Sequence, residues 1–207
     1  MTMNARKYPV SVIIPTKNEA LNLTEAIESV DWAQEVFVVD SQSTDGTQAI
    51  AERMGARVVQ FHYDGGWPKK KNWAIHNLPI ETEWILILDA DERVTPQLRD
   101  EIVRAIENPA IDGYYLRWKF YFLGRWMKHA WSHGWMLRLF RRGKGEYEDL
   151  GMRGEGGWDN EVHENIIVDG HTACLKSHLV HDTRQNLSYW IRKQNEFSDW
   201  NAMRRLR

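Results

Sequence analysis

The sequence has little of several features that would place it in a specialised class of protein. It contains one cysteine, Cys174, so no disulfide can form within the chain. Its 27 basic and 29 acidic residues leave a net charge of −2, which gives no reason to expect a nucleic acid as partner. No run of about 18 apolar residues occurs, which argues against a membrane-spanning helix.

The amino-terminal residues 1–9 lack the apolar segment of a secretion signal. Together with the single cysteine, this absence favours a cytoplasmic location. The 207 residues suffice for one sizeable core. Tryptophan, by contrast, is abundant at 11 residues, and a surplus beyond the needs of a core suggests that some indoles stack on a ligand or lie at an interface.

Apolar runs alternate with amphipathic segments in the first half of the chain. The apolar runs are short and rich in β-branched residues, which is typical of buried strands. Alternation of strands and helices predicts a mainly parallel sheet flanked by helices. The predicted strands are 10–15, 35–40, 57–61 and 84–88, and the predicted helices are 21–30, 47–54, 67–77 and 96–107.

The pattern changes after Gly113. Alternating aromatic segments predict antiparallel or extended strands, glycine-rich residues 142–158 predict a mobile loop, and the tail from Leu187 reads as a helix. The strands expected here are 114–122, 134–140, 165–169 and 173–180. We predict one domain over 1–207, with a nucleotide-binding half (1–112) and an acceptor-side half (113–207).

Acidic residues follow two of the predicted parallel strands. Asp40 ends the second strand, and Asp89 and Asp91 follow the fourth. In open α/β sheets this edge binds ligands, whereas an aspartate there can also simply cap the next loop. Two carboxylates separated by one alanine repel each other unless a positive charge lies between them. The pair therefore predicts a site for Mg²⁺ or Mn²⁺.

Several further segments belong with these acids. The whole set is 12–19, 38–47, Lys71-Asn72, Leu88-Asp89-Ala90-Asp91-Glu92, 122–126, Val162-His163-Glu164 and His181. Together these motifs resemble the family 2 glycosyltransferases of the GT-A fold, and the second half resembles the branch that contains lipopolysaccharide core β-glucosyltransferases, whose members commonly continue further at the C-terminus. The resemblance covers roughly residues 9–200, and it implies a Rossmann-like, mainly parallel sheet with a smaller antiparallel acceptor-side portion.

The resemblance implies a UDP-sugar donor, with glucose as a candidate sugar. Asp40 would accept a hydrogen bond from the base, and Lys71 would approach the phosphates or the base as a point charge. Asp91 would bind the metal directly, and Asp89 would reach the ribose, or the metal through a water. The residues bordering the nucleoside would be Pro15, Thr16 and Glu19.

The resemblance also implies inversion at the anomeric carbon, which requires a general base. Glu164 fits the family pattern best and Glu161 is the second candidate, although this segment also reads as a plain strand start. His181 would complete the metal shell, or alternatively make a structural hydrogen bond. For Lys69, Lys70 and Lys71, the simplest interpretation makes at least two of them part of a solvated helix face.

Acceptor and partners follow from the same resemblance. The acceptor would be a cell-surface glycan or a lipid-linked glycan. One or two of the residues Trp118, Trp126, Trp131 and Trp135 would line the groove that binds it, and the others would form core. The tail 184–207 has six basic and two acidic residues, which suggests peripheral contact with the inner face of a membrane or an ordinary exposed helix.

Two alternatives remain at this point. A sugar nucleotidyltransferase would need a glycine-rich loop after the first strand, and residues 16–19 contain no glycine. A non-catalytic carbohydrate-binding paralogue would need the tryptophans but not the acids.

Overall fold

A computed structural model describes residues 6–129, 134–149, 165–182 and 184–205, with the backbone alone at 200, 201 and 203–205. The strands are β1 (Tyr8–Thr16), β2 (Ala33–Asp40), β3 (Arg57–Gln60), β4 (Trp84–Ile87), β5 (Glu92–Val94), β6 (Gly113–Phe122), β7 (Arg125–Trp126), β8 (Trp135–Arg141), β9 (Gly145–Tyr147), β10 (Ile166–Val168) and β11 (Thr172–Asp182). The helices are α1 (Leu23–Glu28), α2 (Thr47–Arg53), α3 (Lys70–Asn77), α4 (Pro96–Ala105) and α5 (Leu187–Arg205).

One nine-stranded sheet organises the described residues, in the order β3-β2-β1-β4-β8-β6-β11-β5 with β7 paired to β6. Strands β3, β2, β1 and β4 are mutually parallel. Strand β8 runs against both β4 and β6, and β11 runs parallel to β6. Strands from both predicted halves therefore lie in a single sheet, and β9 and β10 form a separate antiparallel pair.

Apolar side chains from the sheet pack on both of its faces. Successive residues of a strand point to opposite faces, so Val12 and Ile14 meet helices α1, α2 and α4 while Ile13 meets α3 and the β9–β10 pair. Each fully buried aliphatic side chain contributes about 1.5–3 kcal/mol relative to exposure. This burial on both sides explains why the central strands read as continuous apolar runs.

The predicted fold class is confirmed: the structure is mixed α/β, with a mostly parallel sheet and a smaller antiparallel part. The N-terminus of α4 is also as predicted, because the Thr95 side chain accepts a hydrogen bond from the Leu98 amide at 3.2 Å and Pro96 is the first helical residue. None of the helices in the described residues is both long and apolar enough to cross a membrane.

Three local expectations were wrong. Strand β5 was missed, because three residues directly after the acidic motif are too few to show a period. The predicted mobile loop contains strand β9, which pairs with β10; residues 150–158 of that loop lie outside the described residues. Helix α3 begins at Lys70 instead of at residue 67, since Lys69 is still extended at its ψ of 171°.

Two irregularities in strand pairing interrupt the second half of the sheet. Tyr114 pairs with Leu139 but Tyr115 pairs with Leu137, so Arg138 has no counterpart on β6. On β11, Cys174 pairs with Tyr115 and the next matched residue is His178. Such bulges redirect side chains, and each of these two lies beside a cluster of charged groups described below.

Candidate active site

Acidic residues collect at the carboxyl edge of the parallel strands. Strand β4 ends at Ile87, and Asp89, Asp91 and Glu92 follow within five residues. Strand β2 ends at Asp40, which pairs with Thr16 at the end of β1. The structure therefore places the predicted acids at one edge, because adjacent parallel strands end side by side.

A buried arginine neutralises part of this acidic edge. Arg138 donates from Nη2 to Asp89 Oδ2 at 2.7 Å and to Glu92 Oε1 at 3.2 Å. Glu92 is fully buried and also accepts from the Trp118 indole at 2.7 Å and from the Asp89 amide at 2.9 Å. Burial disfavours the charge on Asp89, but Arg138 and then Lys71 hold its pKa below the usual range. Asp89 is thus an ion-pair partner of Arg138 in this structure.

The second aspartate of the motif has a different partner. Asp91 Oδ2 lies 3.2 Å from His181 Nε2. Burial opposes a charged imidazole, but Asp91, followed by Glu92 and Asp89, raises the pKa of His181 to about 9. Among the described residues, His181 Nδ1 has no hydrogen-bond partner. At neutral pH Asp91 therefore faces a protonated histidine.

Glu19 lies in the same acidic neighbourhood. Burial, and then the negative charge of Asp91, raises the pKa of Glu19 to about 7, while a hydrogen bond from Asn22 opposes the shift. Lys193 of α5 also acts on Glu19, and Glu19 and Asp91 contribute, after burial, to raising the pKa of Tyr189 to about 12. Helix α5 therefore lies close to the acidic edge.

Asp40 is fully buried and its carboxylate is held by the protein. Thr16 Oγ1 donates to Oδ1 at 2.9 Å, and the Ser43 amide and the Gln60 side chain donate to Oδ2 at 2.8 and 3.2 Å. Pro15 and Thr16 are buried next to it in β1. These bonds fix the loop that follows β2 against the end of β1.

The interpretation of the lysine run as a solvated face was wrong. Lys69 and Lys70 are buried, and Lys70 Nζ donates to the Thr16 carbonyl at 2.9 Å. Lys71 is half-buried, with its ammonium 4.9 Å from the centre of the Tyr147 ring. Because Lys71 also lowers the pKa of Asp89, this part of α3 brings positive charge to the acidic edge.

Several predicted residues lie outside the described part of the chain. Glu161, Glu164 and Trp131 belong to this group. Trp118 donates to Glu92, whereas Trp126 and Trp135 are 42% and 41% exposed. Sequence reasoning missed Arg138 and Glu92 as site residues. The available signal was a lone arginine inside an apolar strand and a third acid directly after Asp91.

The side chains of Asp91 and His181 carry atoms that can bind a divalent cation. Asp91 supplies a carboxylate and His181 an imidazole, and both suit Mn²⁺, while a carboxylate suits Mg²⁺. Asp89 fits direct ligation less well, because Arg138 already occupies one of its oxygens. Within the described residues no group of three or more His, Cys, Asp and Glu side chains is arranged to hold a metal. A cation here would therefore take further oxygen ligands from a bound molecule or water.

Comparison with known proteins identifies the family. The family model for glycosyl transferase family 2 matches residues 11–158. The chain is 30% identical over 213 aligned residues to the lipopolysaccharide core biosynthesis glycosyltransferase LpsC of Rhizobium meliloti (strain 1021), covering 95% of this chain and 71% of LpsC. The chain therefore belongs to glycosyl transferase family 2, which confirms both the predicted resemblance and the enzyme class and sets the nucleotidyltransferase alternative aside.

Further relatives match only a part of the chain. An uncharacterized glycosyltransferase of Rickettsia felis is 46% identical over 94 residues, 45% of this chain and 32% of that protein. The crystal structure of S. aureus TarS 1-349 in complex with UDP-GlcNAc has a TM-score of 0.49 and 28% identity, covering 59% of this chain and 38% of that one. The chain thus spans about a third of the length of these two proteins.

Arg138→Met is expected to destabilise the protein by about 3–5 kcal/mol, because it leaves two carboxylates without their buried cation. Adding Glu92→Gln should recover much of that loss by removing one buried charge. Chemical denaturation measures both values, and Arg99→Met on the exposed side of α4 is the control, expected within about 0.5 kcal/mol of wild type. A loss of under about 1 kcal/mol for Arg138→Met, as for an exposed ion pair, contradicts this role.

The His181–Asp91 pair should stabilise the protein most at low pH. The folded-state pKa of about 9 exceeds the ordinary 6.5, so the contribution is complete below 6.5 and disappears as pH rises through about 9. In the presence of EDTA, the difference in free energy of unfolding between wild type and His181→Gln should shrink across this range. His178→Gln is the matched control, because burial, with Arg117 and Lys119, lowers the pKa of His178. For this variant, the difference in free energy of unfolding from wild type should instead shift against wild type as pH falls below 6.5. A pH-independent difference for His181→Gln would contradict the pairing.

Proposed function

We propose that this protein transfers a sugar from a UDP-sugar to a hydroxyl group of a glycan or lipid-linked acceptor, with inversion and with help from a divalent cation. The observation that carries the proposal is that the two aspartates after β4 have different ion-pair partners. Arg138 forms an ion pair with Asp89, whereas Asp91 pairs with the imidazole of His181, which can lose its proton. In a member of glycosyl transferase family 2, this leaves a carboxylate ready for a cation at the ligand-binding edge of the sheet.

The donor would lie along the ends of β1 and β2. Pro15, Thr16 and Glu19 border the nucleoside in this proposal, and Asp40 accepts the N–H of the uracil. Because Asp40 already accepts hydrogen bonds from the protein, the base would replace the longest of those described above, from the Gln60 amide at 3.2 Å. Exchange of one donor for another preserves the hydrogen bonding of a buried carboxylate. Lys71 would neutralise the diphosphate as a point charge.

The cation would be held by Asp91 and His181, with Asp89 contributing through water or binding the ribose. Mn²⁺ accepts this mixed oxygen and nitrogen set, and Mg²⁺ would rely more on the carboxylate and the diphosphate. When bound, the cation would stabilise the negative charge of the departing diphosphate. His181 would have to lose its proton to ligate it, so cation binding should release a proton.

The transfer itself is a single in-line displacement. The acceptor oxygen forms a bond to the anomeric carbon as the bond from that carbon to the diphosphate oxygen breaks, and UDP leaves with the bonding electrons. A carboxylate takes the proton of the acceptor hydroxyl. We assign this base to Glu164, with Glu161 as the second candidate.

The acceptor and the location form part of the same proposal. The similarity to LpsC, a lipopolysaccharide core biosynthesis glycosyltransferase, supports a cell-envelope glycan as the acceptor. The exposed indoles of Trp126 and Trp135 are suited to stack on the apolar faces of sugar rings. The basic tail would contact anionic lipid headgroups on the cytoplasmic side of the membrane.

Asp91→Asn is expected to abolish the Mn²⁺-dependent part of the thermal stabilisation by UDP, because the amide is a poorer cation ligand than a carboxylate. The rate of UDP release from UDP-sugars should fall on the order of 10²- to 10³-fold. Asp100→Asn, at an exposed position of α4, is the matched control. Full activity of Asp91→Asn in EDTA would overturn the proposed role of the cation.

Glu164→Gln is expected to lower transfer by about 10²- to 10⁴-fold, the usual contribution of a general base. Binding of the UDP-sugar, followed by thermal shift, should remain at the wild-type level, and Glu161→Gln should retain most of the activity. The reverse ranking of the two variants would assign the base to Glu161, contradicting our first choice. Full activity of both would remove the base from this segment.

A further inference from the structure

An open groove lies on the face of the sheet opposite His181. Its volume is about 370 Å³, and it is bounded by β6, β11 and the first turn of α4. His181 packs against Phe120 on one face of the sheet, whereas the neighbouring matched pair, Lys119 and Val180, points to the other face and lines the groove. The groove is therefore a different site from the acidic edge.

The irregular pairing of β11 shapes this groove. Between the matched pairs Cys174–Tyr115 and His178–Arg117, three residues of β11 lie opposite a single residue of β6. The amides of Lys176 and Ser177 in this bulge donate to the carboxylate of Glu101 on α4, both at 2.7 Å. The bulge and the residue that follows it are thus both tied to α4, because the Thr95 hydroxyl also donates to the His178 carbonyl at 3.1 Å. The side chains that line the groove consequently project from a fixed backbone.

Positive charge dominates the groove. Two lysines, Lys119 and Lys176, line it together with His178, and within the described residues its lining includes no aspartate or glutamate. Burial, and then the charges of Arg117 and Lys119, lower the pKa of His178, as expected where cations crowd together. The first turn of α4 contains no acidic residue to offset the positive end of the helix dipole.

The remaining lining groups suit a polyhydroxylated ligand. Tyr121 offers an aromatic ring, and Gln97 and Ser177 offer an amide and a hydroxyl. Sugar rings stack on aromatic faces and present hydroxyl groups to such donors and acceptors. The carboxylate of Glu101 lies nearby, and Asp182 follows Val180 on the same face of the strand. Because these acids next to the groove would repel further negative charge, they favour a ligand with one compact anionic group over an extended polyanion.

We propose that this groove binds a phosphate-bearing sugar, with the phosphate at Lys119 and Lys176 and the sugar ring beside Tyr121. Lysine ammonium groups act as point charges for phosphate. Binding here involves no residue of the proposed donor site.

Glucose 6-phosphate is the probe for this site, and calorimetry on the full chain without UDP or metal is the measurement. We expect a Kd on the order of 1 mM that weakens with salt, as for a ligand bound mainly by charge. The double variant Lys119→Gln/Lys176→Gln should weaken binding about 10-fold or more. Lys144→Gln, which alters an exposed lysine in the turn after β8, should leave it unchanged, as should Asp91→Asn.

Each arm of the experiment can overturn the proposal. Absence of glucose 6-phosphate binding, or equal binding by the double variant, overturns the site. Equal binding of neutral glucose overturns the role of the phosphate, and equal binding of inorganic phosphate overturns the role of the sugar. Binding of vesicles containing phosphatidylglycerol that depends on these lysines, without sugar phosphate binding, assigns the groove to lipid headgroups and overturns the proposal.

Circular dichroism and thermal unfolding must show that the variants fold. The single variant Lys176→Arg keeps the charge at an exposed position. It should retain binding within about 3-fold, since the phosphate contact needs a positive charge and is met by a guanidinium as well as by an ammonium group. Loss of binding in Lys176→Arg together with normal folding would contradict a charge-based site.

Discussion

The structure depends on holding several carboxylates at one edge of a sheet without letting their repulsion open it. Asp89, Asp91 and Glu92 follow one buried strand, and Glu19 joins them from the loop after β1. Two cationic groups from distant parts of the chain make this possible. Arg138 binds Asp89 and Glu92, and His181 binds Asp91. The two partners differ in one decisive respect, because a guanidinium keeps its proton at any physiological pH whereas an imidazole can give it up.

The acidic motif therefore has one part paired with a permanent positive charge and another part paired with a titratable one. Glu92 accepts from an indole, an amide and a guanidinium, so it ties β5, β8 and β6 to the motif. Asp91 pairs with an imidazole, whose charge depends on pH. The acids therefore have unequal tasks although they are nearly adjacent in sequence.

Much of this arrangement was predictable from local patterns, and the rest was not. Apolar runs and their spacing predicted the parallel strands, and Thr95-Pro96 predicted the start of α4, because these signals lie within a few residues. Asp40, Asp89 and Asp91 were placed at one edge by the rule that parallel strands end together. The contacts of Arg138 and Lys70 were not predictable, since they join residues more than forty positions apart. The roles of Glu161 and Glu164 remain predictions.

The bulge in β8 gives this strand one residue more than regular pairing with β6 requires. Leu137 packs on one face of the sheet and Leu139 on the other, although they are two residues apart, because Arg138 is an extra residue in the pairing. Without Arg138, Leu137 and Leu139 would be adjacent, and regular alternation would keep them on their present opposite faces. The deletion would remove only the extra position from which the guanidinium reaches the acids. The additional residue of β8 is therefore not needed to pack the two leucines, and what it adds to the strand is the cation that Asp89 and Glu92 share.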